Sequence, residues 1–375
     1  MKKSDIFWQS YLSLEKELIE VSKFIYIADV VNAHEGGKEV MKPCDAQLMT
    51  FSPHIADLLI RCCVQIEAIS KELYYDNGGV KLRGDSSIYF DEDCLKQIDI
   101  KWATHNKCVM VVAPFFNLTK DENRVLRPLK KAHKRSGTYW EKAYQAVKHD
   151  RLASLQYGNV KALLQAMAAL YLLNLYLRKD KMLIKYQELS KLDFSMGSAV
   201  FSVVPPTVGQ LWYGNHPVTS DSPFVVTFNE EDYNKIESMQ NADHKALNDY
   251  WQQQPELKDP EFLSIIAKGL EEEKLNPANR FMHLWELGIY RLGKLLPNSM
   301  SFEERKTKLL TSEAWNCWVN QNNQHLSPEE ITKENIDQEI VDVGRRWGMD
   351  IQRSYERSNW IGYALNKANC SLYIP

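Results

Sequence analysis

The chain has 375 residues, with 46 Lys and Arg against 49 Asp and Glu and a formal net charge of −3. With 44% hydrophobic and 25% charged residues it carries enough apolar material for one large or two ordinary cores, which excludes wholesale disorder, a fibrous repeat and a small stapled scaffold. The near-neutral balance excludes a globally basic nucleic-acid coat, so contact with a polyanion has to come from a local patch.

The opening MKKSDIFWQSYLSLEKELIE mixes Asp5, Glu15, Glu17 and Glu20 into apolar positions, unlike a secretory h-region. Ile6, Phe7, Tyr11, Leu14, Leu18, Val21 and Ile25 recur at three- and four-residue spacings and predict a first long helix. After Gly36-Gly37 and Pro43, the stretch SPHIADLLIRCCVQIEAISKELYYDNGG predicts a second helix. Ser52 is placed to cap it, Pro53 to occupy its first turn and Asn77-Gly78-Gly79 to end it. Ile55, Leu58, Leu59, Cys62, Cys63, Ile66, Ile69 and Leu73 form its apolar face. Its companion is GNVKALLQAMAALYLLNLYLR, residues 158 to 178, rich in the residues that lose least on entering a helix. The apolar run in it contains Gln165 and Asn174 and falls short of the roughly 20 residues needed to cross a bilayer, so the expectation is a cytoplasmic chain with no membrane partner. Seven scattered cysteines without a C-x-x-C pair are expected to be reduced and structural. No metal or other cofactor is implied.

Between the two apolar helices the chain is irregular, with one β-branched run, KCVMVVAPFF, that suits a short strand before Pro114. Residues 120 to 151 hold ten Lys or Arg against four Asp or Glu, a local charge of +6. That stretch ends in WEKAYQAVKHDR, where His149 stands between Lys148 and Arg151. An imidazole can pass a proton while neighbouring cations bind phosphate, a combination that suits RNA cleavage through the ribose 2′-hydroxyl. The other reading of the same residues is structural, with His149 tying two helices and Tyr144 and Trp140 in a core.

The stretches SPHIADLLIRCCVQIEAISKELYYDNGG and WEKAYQAVKHDRLASLQYGNVKALLQAMAALYLL resemble the helical HEPN superfamily, in particular its bacterial members of abortive-infection and toxin systems. The resemblance implies a four- to five-helix bundle, a homodimer, and a metal-independent ribonuclease that uses an Arg, four to six intervening residues and a His. It puts His149 near the start of the final long helix, with Lys148 and Arg151 beside it and Glu67 as a polar residue of the second long helix that would orient Lys148 or Arg151, or else form an ordinary interhelical ion pair. No Arg stands at the family's spacing before His149. The spacing is met instead by Arg127 and His133 in RPLKKAH, a second candidate pair or a solvated basic face.

Past residue 185 the texture turns to Gly, Pro and Ser with strand-like runs, in FSMGSAVFSVVPPTVGQLWYGNHPVTSDSPFVVTF, before helical periodicity returns. This divides the chain into a HEPN-like bundle with a middle insertion, residues 1–185, and a mostly helical region, 186–375, with a boundary near 190. The fold class is therefore mostly α with minor β content. In the second region Asp259-Pro260 and Ser327-Pro328-Glu329-Glu330 look like helix starts. Its aromatic segments suit a core, a dimer face or a protein partner. Arg345, Arg346, Arg353 and Arg357 are offset by Glu339, Asp342, Asp350 and Glu356. His216 and His283 belong to structure or surface, and phosphate-loop, zincin, nucleophile-elbow and dinucleotide motifs are absent. The functional expectations are three: an endoribonuclease of an antiviral or toxin-like system, an RNA-binding module without turnover, and a noncatalytic helical scaffold.

Overall fold

Apolar residues at helical spacing, interrupted by a few short β-branched runs, give a fold that is mostly α with minor β content. The computed structural model describes residues 2–35, 38–80, 88–134, 136–206, 220–273, 283–321 and 326–375. The chain forms two units, Met1–Phe228 with Asn369–Pro375, and Asn229–Ala368.

The first unit begins with α1 (Lys3–Ser22), the hairpin strands β1 (Val30–Glu35) and β2 (Lys38–Pro43), and α2 (Pro53–Asp76). Ser52 Oγ accepts from Ile55 N at 3.2 Å, Pro53 takes the first turn, and Gly78 leaves the helix at φ +84°, so the predicted start and stop signals operate as read. The whole predicted apolar face of α2 is buried, whereas at the ends of α1's stripe Ile6 is exposed. The stretch read as irregular is a π-helical turn, Phe90–Leu95, running into α3 (Lys96–Trp102). The predicted strand is β3 (Val109–Val111), followed by α4 (Asp121–Arg124), β4 (Val125–Leu126), α5 (Tyr139–His149), α6 (Arg151–Ser154) and α7 (Val160–Arg178). Nearly every side chain of α7 is buried among α1, α2 and α5, which is why its apolar residues run all round the helix. By length and composition α7 is apolar enough to cross a membrane, and here it is the central core helix.

The unit extends past the expected boundary near 190. After β5 (Lys181–Lys185), the segment leading into β6 (Phe201–Val203) is tied to α1 through buried Glu15, which accepts from Ser198 Oγ, Ala199 N at 3.1 Å and Val200 N at 3.2 Å. β6 then pairs with β3 in the order β4-β3-β6. The next strand, β7 (Val225–Phe228), joins a second antiparallel sheet whose middle strand is β8 (Asn369–Tyr373), in the order β5-β8-β7.

The second unit comprises α8 (Glu230–Gln252), α9 (Pro260–Glu273), α10 (Leu284–Leu295), α11 (Phe302–Leu310), α12 (Glu313–Gln321), α13 (Ile336–Glu356) and α14 (Gly362–Asn366). The Asp259-Pro260 start holds, with Asp259 Oδ1 accepting from Glu261 N at 3.0 Å. At Ser327 the expected reciprocal cap forms, but it closes only the single turn Pro328–Glu330. Buried Leu292, Leu309, Trp315, Ile340 and Val343 make one core of this unit, and Leu247, Trp251, Phe262 and Leu287 another. Of the cluster read as a salt-linked helix surface, Arg346 and Arg353 lie 3.9 and 3.6 Å from Asp350, whose side chain is largely buried. His283 is buried at the start of α10, and His216 lies outside the described residues. All seven cysteines are free thiols.

Candidate active site

The segment before α5 is pinned by Trp140, whose buried indole Nε1 donates to Pro128 O at 2.9 Å. Thr138 and Glu141 form a capping box: Thr138 Oγ1 accepts from Glu141 N at 3.1 Å, and Glu141 Oε2 accepts from Thr138 N at 2.5 Å. Gly137, at φ +57°, makes the turn that brings the segment into the cap. This start of α5 and the π-helical turn at Phe90 enclose a cleft of about 660 Å³.

The two walls carry opposite charge. Asp91 and Glu92 stand on the π-helical side, and Lys134 and Lys142 on the α5 side, with His133, Glu141 and Gln145. Glu141 is 8% exposed, and its Oε1 is buried with no hydrogen-bond partner. Burial pushes its carboxyl up to about 7. The Asp91 charge pushes the same way and the hydrogen bonds of Thr138 oppose it. His133 Nε2 lies 3.6 Å from Asp99 Oδ2. The other Asp99 oxygen accepts from His105 N at 2.7 Å, Thr104 Oγ1 at 3.1 Å, and meets His105 Nδ1 at 2.8 Å. Burial opposes ionisation of Asp99, but the His105 and Thr104 hydrogen bonds outweigh it and hold the carboxyl below its ordinary range. His133 thus enters the cleft backed by an anchored carboxylate.

The residues singled out in the sequence do not all meet there. Of the pair Arg127 and His133, only His133 lines the cleft; Arg127 Nε donates to Cys108 Sγ at 3.2 Å and its guanidinium pairs with Asp221 at 3.3 Å. His149 is exposed at the end of α5. Lys148 lies over the Tyr144 ring at 5.1 Å, and Tyr144 OH donates to Glu67 Oε1 at 2.9 Å. Burial, then the Glu67 hydrogen bond and charge, push the Tyr144 phenol well up. Arg151 turns to the start of α2, pairing with Asp57 at 2.7 Å and donating to Pro53 O at 3.3 Å. Glu67, Tyr144 and Lys148 are therefore brought together, with Glu67 engaged by Tyr144, while Arg151 is held elsewhere.

The +6 stretch is also partly neutralised in three dimensions by acids from outside it, since Lys120, Arg127 and Arg151 pair with Asp45, Asp221 and Asp57. Lys130, Lys131, Lys134 and Lys142 are exposed, and Arg135 lies outside the described residues. Asp91, Asp99, Glu141 and Lys142 were not singled out in the sequence as site residues. A T-x-x-E cap at Thr138 is the one local signal that points to any of them. Among the described residues no group of three or more His, Cys, Asp or Glu is arranged to hold a metal ion. Comparison with known protein families, with curated proteins and with solved structures returns no match for this chain.

Proposed function

We propose that the cleft at the start of α5 cleaves RNA by acid–base catalysis, with Glu141 and His133 as the proton-transfer pair. The observation that carries this is a carboxyl poised at about 7 in the same cleft as an imidazole and two exposed ammonium groups. Ionised Glu141, through the free lone pair of Oε2 and not the sealed Oε1, takes the proton of a ribose 2′-hydroxyl as O2′ bonds to phosphorus. His133, protonated, gives its proton to the departing 5′ oxygen as the phosphorus–oxygen bond breaks. The products are a 2′,3′-cyclic phosphate and a free 5′-hydroxyl, and exchange with water resets both groups. Lys134 and Lys142 offset the charge that builds on the phosphate. DNA lacks the attacking hydroxyl. The HEPN resemblance supports the same class of reaction, with His133 rather than His149 as its histidine; Arg127, held by Cys108 and Asp221 outside the cleft, is an anchor of the fold and takes no part. An antiviral or toxin-like setting and a homodimer belong to this reading as its biological form.

The test incubates the full chain with single-stranded and structured RNAs in chelator. Cleavage ending in cyclic phosphate is expected, with DNA untouched. Glu141→Gln, which keeps the cap, and His133→Ala should each lower the rate by about 100-fold or more, and His149→Ala should not. RNA that stays intact at high enzyme sinks the proposal; RNA held but uncut by the unaltered chain, released as salt rises, assigns a binding module instead.

A further inference from the structure

The second unit holds a cleft of its own, about 440 Å³, where α8 faces α14 and the π-helical turn Arg357–Ile361. That size fits a small organic molecule. The π-helical turn is a local misfit of the kind that often accompanies binding sites, and it delivers Asn359 to the cleft. Asn359 Nδ2 donates to Asp243 Oδ1 at 2.8 Å. Asp243 is 5% exposed, and its other oxygen, Oδ2, is buried with no hydrogen-bond partner although the residue lines the cleft. A buried carboxylate oxygen without a donor is costly, and the donor that best offsets the cost is a cation.

The other polar groups around the cleft are not available for that purpose. Tyr363 OH is spent on Asp232 Oδ1 at 2.5 Å, and this hydrogen bond, with burial and the Asp232 charge, pushes the phenol up to about 12. The Lys235 ammonium covers the Tyr363 ring at 4.7 Å. Asn366 Nδ2 is turned back to Gly362 O at 2.9 Å. Lys367, exposed at the cleft, presents the opposite charge to that of Asp243, and Met239 and Ala242 add apolar surface.

We propose that this cleft binds a small zwitterion, a free amino acid or dipeptide, whose ammonium donates to Asp243 and whose carboxylate meets Lys367. Each charge of the ligand then has one protein partner of the opposite sign, and the apolar surface accepts its side chain. This site is independent of the cleft at α5, and its test reads binding alone. The full chain is titrated by calorimetry with the common protein amino acids and their decarboxylated amines. At least one amino acid should saturate below about 1 mM. Its amine should bind about tenfold or more weaker, and Asp243→Asn should weaken the amino acid about tenfold or more. Lys367→Gln, at an exposed position, should weaken the amino acid and leave the amine unchanged. The proposal is overturned by any of three results: no saturable binding up to about 10 mM, equal affinity for acid and amine, or full affinity in a folded Asp243→Asn or in Lys367→Gln.

Discussion

Glu141 occupies the third position of α5 as half of a capping box, and the same placement sinks it into the wall of the cleft. The cap uses one oxygen and leaves the other buried without a partner, so burial favours the protonated acid. In the unfolded chain the group returns to its ordinary value of 4.5, against about 7 when folded. The folded state therefore holds this proton more tightly, and stability falls as pH rises from about 4.5 to about 7. By linkage the full penalty above that window is about 3 kcal/mol. Glu141→Gln keeps the shape and the cap but cannot ionise. Urea unfolding of the two proteins from pH 4 to 8 should show the variant gaining on the parent as pH rises, by up to about 3 kcal/mol; a constant difference would mean that Glu141 is not held protonated by burial. The T-x-x-E spacing of Thr138 and Glu141 is a local signal for the cap, one that was not read in the sequence. The depth of the carboxyl has no local signal, because burial depends on residues brought to α5 from elsewhere in the chain, such as Asp91, which shares its cleft. His149 shows the converse. Its neighbouring cations were obvious locally, yet Asp57 and Tyr144 determine where they go.

Among the described elements α10 and α13 pack backbone against backbone, and three glycines make this possible. A Cβ on Gly288 would come within 2.1 Å of Gly344 O, one on Gly344 within 2.7 Å of Ile289 Cα, and one on Gly348 within 2.0 Å of Leu284 O. The obstructing atoms are backbone, which cannot swing aside. Ordinarily a helical Gly→Ala change stabilises by up to about 1 kcal/mol. At Gly348 the sign should reverse, with a loss of about 2 kcal/mol or more as the helices are forced apart. Gly293, also in α10, has nothing within 4 Å of its would-be Cβ and should show the ordinary gain. Urea midpoints of Gly293→Ala and Gly348→Ala therefore move in opposite directions, and a shared direction would contradict the close packing. Helices with local signals were legible: α2 from Ser52, Pro53 and its apolar face, α9 from Asp259-Pro260. Residues 90–102 were not, since a π-helical turn has no simple period. Where helical periodicity returns in the second region, Thr311 and Ser312 separate α11 from α12, with Ser312 Oγ donating to Leu309 O at 2.7 Å.

At the scale of the molecule, order along the chain and membership of a unit part company. The sequence changes texture near 190, but β6 and β7 continue the first unit to Phe228, and β8 returns to it after the whole second unit has been laid down. Texture reports composition, whereas the boundary depends on strand pairings between residues far apart in sequence. β8 is the middle strand of its sheet, with Leu372 facing Met182 on one side and Val226 on the other. Cys370 and Leu372 are fully buried, so β8 adds core as well as hydrogen bonds. Leu372→Ala should cost about 2–5 kcal/mol, the usual range for emptying a buried leucine site. The loss should appear in the unit that β8 joins, not in the one that precedes it in sequence. Hydrogen exchange gives the discriminating reading: amides of β5 and β7 should lose protection while those of α10 and α13 keep theirs. Loss of protection in α10 and α13 instead would assign the C-terminal strand to the second unit. A local split of the chain near 190 would predict that result, because every residue of β8 then belongs to the helical half.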